Sequence, residues 1–303
     1  MIIKLVCLLL VAIGSVSLAT HAFAAEPKEN HYRASDVFDS TQKILFQDDF
    51  HSGQFGKWTF SEDDRYRLAK PTPERVGITD APQLSPGLKA VACVVRHNPN
   101  EFRAEISLPH ESGFQERWYG ERIFVPANWD TQLGGGNDIV MQWHAIPGNG
   151  KATHPNLAIS IDKDRWVVRQ NFGNAQGKHT QATHQASGNV VPGTWVCWVI
   201  HAKWSPIDAG ILQIWKDGQP DVDVKGANVY ATIGVEYTPY LKTGIYHPSW
   251  HSENDEKSKP FDTSVPATAS RTIYVTDIKV GDPSATYADV APPGTPAPAE
   301  SAK

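Results

Sequence analysis

The chain has 303 residues, with 33 acidic and 28 basic side chains and a formal net charge of −5. That balance gives no hint of nucleic-acid binding, and no nucleic-acid partner is expected; it also gives no support for a polyanionic substrate, although overall charge says little about the local charge of a groove. Ten Trp, nine Tyr and eleven Phe supply a large core and also surfaces on which sugars could stack.

Met1 to Ala24 carries Lys4, an apolar run from Leu5 to Ile13, and Ala22-Phe23-Ala24 before Ala25. This is the charged start, apolar middle and small-residue end of a secretory signal peptide. The run is short of the ~20 residues that span a bilayer, so no membrane partner is expected and the mature chain is expected to be secreted or periplasmic. Residues 25–36 read as a leader. From residue 37 strand signals dominate. Ile44-Leu45-Phe46 leads into Asp48-Asp49-Phe50, and Val91 to Arg96 is β-rich. Glu121 to Val125 ends at Pro126, and a turn over 134–138 precedes Ile139 to His144. Leu157 to Ile161 alternates, Asp162-Lys163-Asp164 turns, and Arg165 to Val168 returns as a hairpin. Trp195 to Trp204, Ile211 to Trp215 and Thr272 to Val280 complete the series. Many short strands between turn signals predict an all-β, two-sheet antiparallel sandwich, a β-jelly roll with a concave cleft, as one domain over 37–282. Pro283 to Lys303 is Pro/Ala-rich and aperiodic, which predicts a disordered tail. Cys7 leaves with the signal; Cys93 and Cys197 could pair as a disulfide or stay as two buried thiols.

Three segments carry polar groups at two-residue spacing: Phe102-Arg103-Ala104-Glu105-Ile106, Ile139-Val140-Met141-Gln142-Trp143-His144 and Tyr240-Leu241-Lys242-Thr243-Gly244-Ile245-Tyr246. Residues i and i+2 of a strand share a face. Arg103 and Glu105 therefore project together, as do Gln142 and His144, and Tyr240, Lys242 and Tyr246. Ile139, Met141, Trp143 and the other apolar members point the opposite way. A face that gathers Arg, Gln, His, Lys and Tyr reads as the floor of a binding or catalytic cleft.

These motifs, in this order, resemble the Arg-x-Glu, Gln-x-His and Tyr-x-Lys-x-Gly-x-Tyr signatures of jelly-roll polysaccharide lyases, which include alginate lyases, glucuronan lyases and heparin lyase I. The segments 118–126, 202–205 and 214–218 look most like the heparin lyase I and glucuronan lyase branch, and the similarity spans most of 46–280. The resemblance implies β-elimination of a uronate polysaccharide: the C5 proton leaves, the 4-linked oxygen is expelled, and a C4=C5 double bond remains. Arg103 and Gln142 would neutralise the uronate carboxylate as an enolate develops, with Tyr246 and His144 as acid and base. Lys242 and Tyr240 would bind substrate, and Glu105 would hold Arg103 in place. A free phenol titrates near ~10, so Tyr246 needs a cation beside it; Arg103 or His144 is better placed than Lys242, roughly 13 Å away by strand rise.

Singly, each residue has a plainer role: Arg103–Glu105 as an ion pair, His144 as a structural histidine, Tyr246 as a core aromatic. The ordered set favours catalysis. Two rival functions are a glycoside hydrolase, which needs two flanking carboxylates, typically as Glu-x-Asp-x-x-Glu on one strand, a motif no strand here carries, and a non-catalytic lectin-like or laminin-G-like module. Trp118, Tyr119 and Trp250 are weaker candidates for sugar platforms, and His201 and Lys203 share a face of undetermined side. The long polar segment 247–270 is expected to form a lid or subsite wall. No cofactor is required by this chemistry; Asp48 or Asp49 with Asp277 could bind structural calcium, though turn carboxylates are the commoner explanation and no metal ligands are assigned. The expected partner is an anionic uronate polymer, acted on by a monomer.

Overall fold

The computed structural model describes residues 32–98, 100–131, 133, 137–145, 154–173, 179–230, 238–251 and 265–299. The signal-peptide segment, the glycines at 134–136 and residues 252–264 of the expected lid lie outside the described residues. A one-turn helix α1 (Ala34–Val37) precedes β1 (Ile44–Asp48), β2 (Thr59–Glu62), β3 (Arg65–Leu68), β4 (Val76–Asp80) and β5 (Lys89–Arg96). There follow β6 (Arg103–Ser107), β7 (Glu116–Val125), β8 (Asp138–His144), β9 (Leu157–Asp162), β10 (Arg165–Gly173) and β11 (His179–Asn189). The chain continues through β12 (Thr194–Lys203), β13 (Ile211–Lys216), β14 (Gln219–Lys225), β15 (Tyr240–Tyr246), β16 (Ser270–Gly281) and a second one-turn helix α2 (Tyr287–Val290).

The strands form two antiparallel sheets of a jelly-roll sandwich. The back sheet runs β14-β13-β12-β7-β16-β5-β4, with β1 also paired to β16. The front sheet runs β11-β10-β9-β8-β15-β6-β2-β3. Period-2 alternation sends one set of side chains from each sheet into a shared core. The front contributes Phe102, Ile106, Met141, Trp143, Leu241 and Ile245, and the back contributes Val91, Cys93, Ile123, Trp198, Ile200 and Ile273. Each fully buried Ile, Phe or Met contributes about 1.5–3 kcal/mol of transfer free energy, which makes this face the one that fixes register. The three motif segments become β6, β8 and β15, and these lie side by side at the centre of the front sheet.

Two irregularities break simple alternation. The register of β8 shifts between Ile139 and Met141, so Val140 turns into the core while Ile139 lies opposite Tyr246. Ile139 therefore shares the outer face with Tyr246, contrary to the expectation from spacing. A single extra residue reverses the faces on one side of a bulge. The second shift lies in β15 between Thr243 and Tyr246, around Gly244, whose φ is 137°. A Cβ there would meet the Ala104 carbonyl oxygen at 2.3 Å and the Glu105 Cα at 2.7 Å, so only glycine lets β15 approach β6 at this point.

Residues 283–299 are not the disordered tail their composition suggests, and 300–303 lie outside the described residues. Tyr287 and Val290 are buried against Val199 on the outer face of the back sheet, beside Trp118 and Trp215. Gly120 leaves the notch that Val290 occupies, since a Cβ would lie 1.9 Å from the Val290 carbonyl oxygen. The Tyr287 hydroxyl donates to the Pro296 carbonyl within this strap, and the Ala299 N–H donates to the Gly218 carbonyl, which ties the strap's far end to the β13–β14 turn. Cys93 faces the core, whereas Cys197 lies on the outer face near Thr295; both are free thiols on opposite sides of the back sheet, which rules out a bridge between them. Among the described residues no helix is long and apolar enough to cross a membrane.

Candidate active site

Register fixes which polar side chains meet on the outer face of the front sheet. On β15, Tyr246 lies opposite Arg103, Gly244 opposite Glu105, and Lys242 opposite both Ser107 of β6 and Gln142 of β8. Because directly opposed residues share a face, Arg103, Glu105, Gln142, Lys242 and Tyr246 form one contiguous patch. Arg103, Glu105, Gln142 and Lys242 are nonetheless at most 7% exposed. Charges withdrawn this far from water cost free energy unless partnered, so the partners define the site.

The Arg103 guanidinium carbon lies 4.0 Å from the centroid of the Tyr246 ring and 4.9 Å from that of Tyr66, and its Nε is 3.7 Å from Glu105 Oε2. Burial disfavours its charge, but Glu105 and the two phenols outweigh that and hold it firmly cationic. Glu105 Oε1 accepts a hydrogen bond from the Gln142 amide. Glu105 thus braces two residues, Arg103 as expected and Gln142 in addition. The Lys242 ammonium sits 4.7 Å from the Tyr66 centroid and 5.5 Å from the Tyr240 centroid. Burial pushes it down to about 8, against the pull of Glu105 and with the push of Arg103. Its aromatic partners are therefore Tyr66 and Tyr240 rather than Tyr246, in keeping with the spacing along β15.

Tyr246 titrates above the ordinary phenol value. Burial raises it, and Arg103, close enough to hydrogen-bond it, recovers only part of the shift. A cation is in place, as the chemistry demanded, but in the resting protein desolvation wins and the phenol is neutral at pH 7. His144 lies opposite Tyr240, not Tyr246. Tyr246 faces Ile139 on β8, so five residues, about 16 Å of strand by standard rise, separate the His144 backbone from that of Ile139. His144 Nδ1 is 2.8 Å from the Ala145 carbonyl oxygen, which can only accept, so Nδ1 carries a proton.

Tyr66 was not legible as a site residue, yet its ring lies near both Arg103 and Lys242. It comes from β3, an edge strand whose Arg65-Tyr66-Arg67 has no partner at motif spacing. Only the pairing of β3 through β2 to β6 brings it over the patch. Behind Tyr246, the buried Asp138 accepts from His247 Nδ1 at 2.7 Å and pairs with Arg271 Nε at 3.2 Å, and Ser249 Oγ meets His247 Nε2 at 2.9 Å. This network ties the end of β15 to the start of β8 where Tyr246 is displayed.

Other sequence candidates fall elsewhere. Tyr119 and Trp250 are core residues, with Trp250 fully buried. Trp118 lies on the outer face of the back sheet, stacked on His201 at 4.1 Å, and His201 bonds Glu116 and Gln213 there. These residues belong to the face remote from the patch. Asp48, Asp49 and Asp277 line a cavity of about 390 Å³. Asp48 already accepts from the Phe50 N–H and Trp58 Nε1–H, and Asp277 pairs with Arg122, so few oxygens remain for calcium, which takes about six to eight. Among the described residues no group of three or more His, Cys, Asp or Glu could hold a metal.

A jelly-roll sandwich whose outer sheet face buries Arg103 and Lys242 beside Tyr246 presents cationic and phenolic groups suited to an anionic ligand. Residues 50–279 match the family model described as Polysaccharide lyase, and the chain belongs to that family: it is a polysaccharide lyase. Among solved structures it is similar to the endo-β-1,4-glucuronan lyase of the fungus Trichoderma reesei (20% identity, 82% of this chain and 99% of that one, TM-score 0.60). An alginate lyase A1-II' variant is also similar (12% identity, 78% and 99%, TM-score 0.50). So is a Bacteroides ovatus mixed-linkage glucan GH16 protein in complex with product (13% identity, 78% and 100%, TM-score 0.50). At these identities the likeness is one of fold, and the fold serves lyase and hydrolase alike. No curated protein matches the chain.

Proposed function

We propose that the protein is an exported lyase, secreted or periplasmic, that cuts a β-1,4-linked glucuronate polymer by β-elimination. The observation that carries the reading is the Arg103 guanidinium set 4.0 Å from the Tyr246 ring centroid within a buried, cationic patch. In β-glucuronate the C5 hydrogen and the C4 oxygen lie on one side of the ring, so a single group can serve both. Tyr246, through the minor phenolate population that Arg103 stabilises, takes the C5 proton; the electron pair forms C4=C5 and the C4–O bond breaks. The phenol then returns its proton to the departing oxygen and is a phenolate again. Arg103 stabilises the phenolate and, with a Gln142 amide oriented by Glu105, the charge that builds on the carboxylate. The spacing along β8 supports this one-residue scheme over a split between His144 and Tyr246, and gives His144 the neighbouring sugar.

Charge supports the substrate. Arg103 and Lys242, with Arg67 beside them and Glu105 opposing, suit one carboxylate per sugar better than a densely sulfated chain. The fold shared with a glucuronan lyase points the same way. The test is a panel of glucuronan, alginate and heparin with the mature chain, followed by ultraviolet absorbance of unsaturated ends. Glucuronan is expected to react fastest. Cleavage of alginate or heparin with glucuronan untouched overturns the substrate, and reducing ends without unsaturation overturn the elimination.

A further inference from the structure

Beyond Tyr240 the patch opens into a cavity of about 590 Å³, within the range of small-ligand sites. Its floor includes Thr59, Arg67, His110 and Tyr240, and its wall is the segment Tyr32–Ser35 that precedes and begins α1. The wall is anchored. The Lys57 ammonium donates to the Asp36 carbonyl, the Asp36 carboxylate accepts from the Arg33 N–H, and Phe38 packs edge-on against Phe46.

Two observations give this cavity a preference. Arg33 and Arg67 line it, and no described carboxylate does, in a chain whose net charge is −5. Arg67 is also held in the left-handed backbone region at φ 55°, a conformation uncommon outside glycine and concentrated where a side chain is aimed for function. Its Nη2 lies 2.9 Å from His110 Nδ1. Arginine only donates, so Nδ1 accepts and His110 carries its proton on Nε2. Arg67 also reaches the Tyr240 ring, 5.8 Å from its centroid, and Tyr240 touches Lys242. Two tyrosines, Tyr32 and Tyr240, add apolar faces of the kind that hold a pyranose.

We propose that this cavity is a remote subsite for a uronate residue, its carboxylate bound by Arg67 with His110 and Arg33, its ring held between Tyr32 and Tyr240. The inference rests on the uronate-lyase reading and extends it: a chain seated at Arg103 runs on past Lys242 and Tyr240 into the cavity, and the N-terminal segment completes the binding surface.

The test uses the full chain carrying Tyr246→Phe, so that oligoglucuronates of increasing length persist during calorimetric titration. Adding Arg67→Gln, or separately Tyr32→Ala, is expected to weaken the longest oligomers by about tenfold, the equivalent of one lost charge-assisted contact, with less effect on the shortest. Arg67→Lys is expected to recover part of the loss. Circular dichroism and melting temperature establish that each variant is folded. Unchanged affinity in both variants, or no oligoglucuronate binding to the Tyr246→Phe chain, overturns the subsite. Lyase activity of the wild type is scored separately. Unsaturated ends with unchanged affinities sink the subsite and leave the lyase reading intact, whereas Arg67-dependent binding without unsaturated ends from any polymer does the reverse.

Discussion

The two outer faces of the sandwich are built from the same alternation and come to opposite ends. On the back sheet, polar and aromatic residues satisfy one another: Trp118 stacks on His201, His201 bonds Glu116 and Gln213, and the strap from Pro283 covers the apolar remainder. On the front sheet, Arg103 and Lys242 are buried beside Glu105, the one close carboxylate among the described residues, and among aromatic rings, chiefly the phenols of Tyr66, Tyr240 and Tyr246. Positive charge is left in surplus there although the chain as a whole is acidic. Local arrangement, not net charge, sets what each face can bind.

The largest effect that tests this contrast lies at Tyr246. Tyr246→Phe is expected to lower turnover on the order of a hundredfold or more with the fold intact, and Arg103→Lys to approach it, because lysine lacks the planar fork. His144→Ala is expected to fall well short of both and to act mainly on KM. A wild-type rate in Tyr246→Phe, measured by ultraviolet absorbance, ends the one-residue scheme.

Lys242 gives the next effect. Its ammonium is held down to about 8 chiefly by burial, so it loses its charge as pH rises through that value. KM for an anionic polymer is expected to climb above pH 8, roughly tenfold when the charge is gone. In Lys242→Met the high KM should be present at every pH. A flat wild-type profile from pH 6 to 10 removes Lys242 from binding.

A smaller effect comes from between the sheets. Glu121 of β7 accepts from the Thr243 hydroxyl of β15, and burial raises its carboxyl to about 8. A raised folded value favours the protonated, folded form. That stability is full below the ordinary carboxylate range near 4.5 and is lost as pH rises through 8. Glu121→Gln is expected to melt within a few degrees of the wild type at pH 5 and several degrees above it at pH 9. Parallel melting curves across that range would show that Glu121 does not titrate with folding. Least of all, Trp118→Leu on the back face should change turnover by less than about twofold while lowering the melting temperature modestly, as loss of a stacked pair does. A collapse of polymer cleavage in a folded Trp118→Leu chain would make the back face functional after all.

The front patch was legible because each of its strands repeats a polar residue at period two. Arg103, Gln142 and Lys242 could be placed on one face without knowing the sheet order, and the sandwich followed from strand and turn rhythm. Ile139 was misplaced because the extra residue at Val140 leaves no mark in composition. Tyr66 was missed because its membership depends on β3 lying two strands from β6. The strap after Pro283 looked disordered because its order rests on a few anchors, Tyr287, Val290 and the notch at Gly120, rather than on a repeating pattern.

The position of β16 has a consequence for how such a chain can be made. It lies between β7 and β5 and also pairs with β1, so the middle of the back sheet is supplied by residues 270–281. Until those residues leave the ribosome, β1 has no partner, and β5 and β7 are the open edges of two separate pieces. Pairings this distant in sequence close late and slowly. Half-synthesised chains therefore expose apolar strand edges for most of elongation. Folding of the back sheet becomes a single act after synthesis, and a truncation just before Ser270 leaves that sheet in two separate pieces facing a front sheet whose strands are all present.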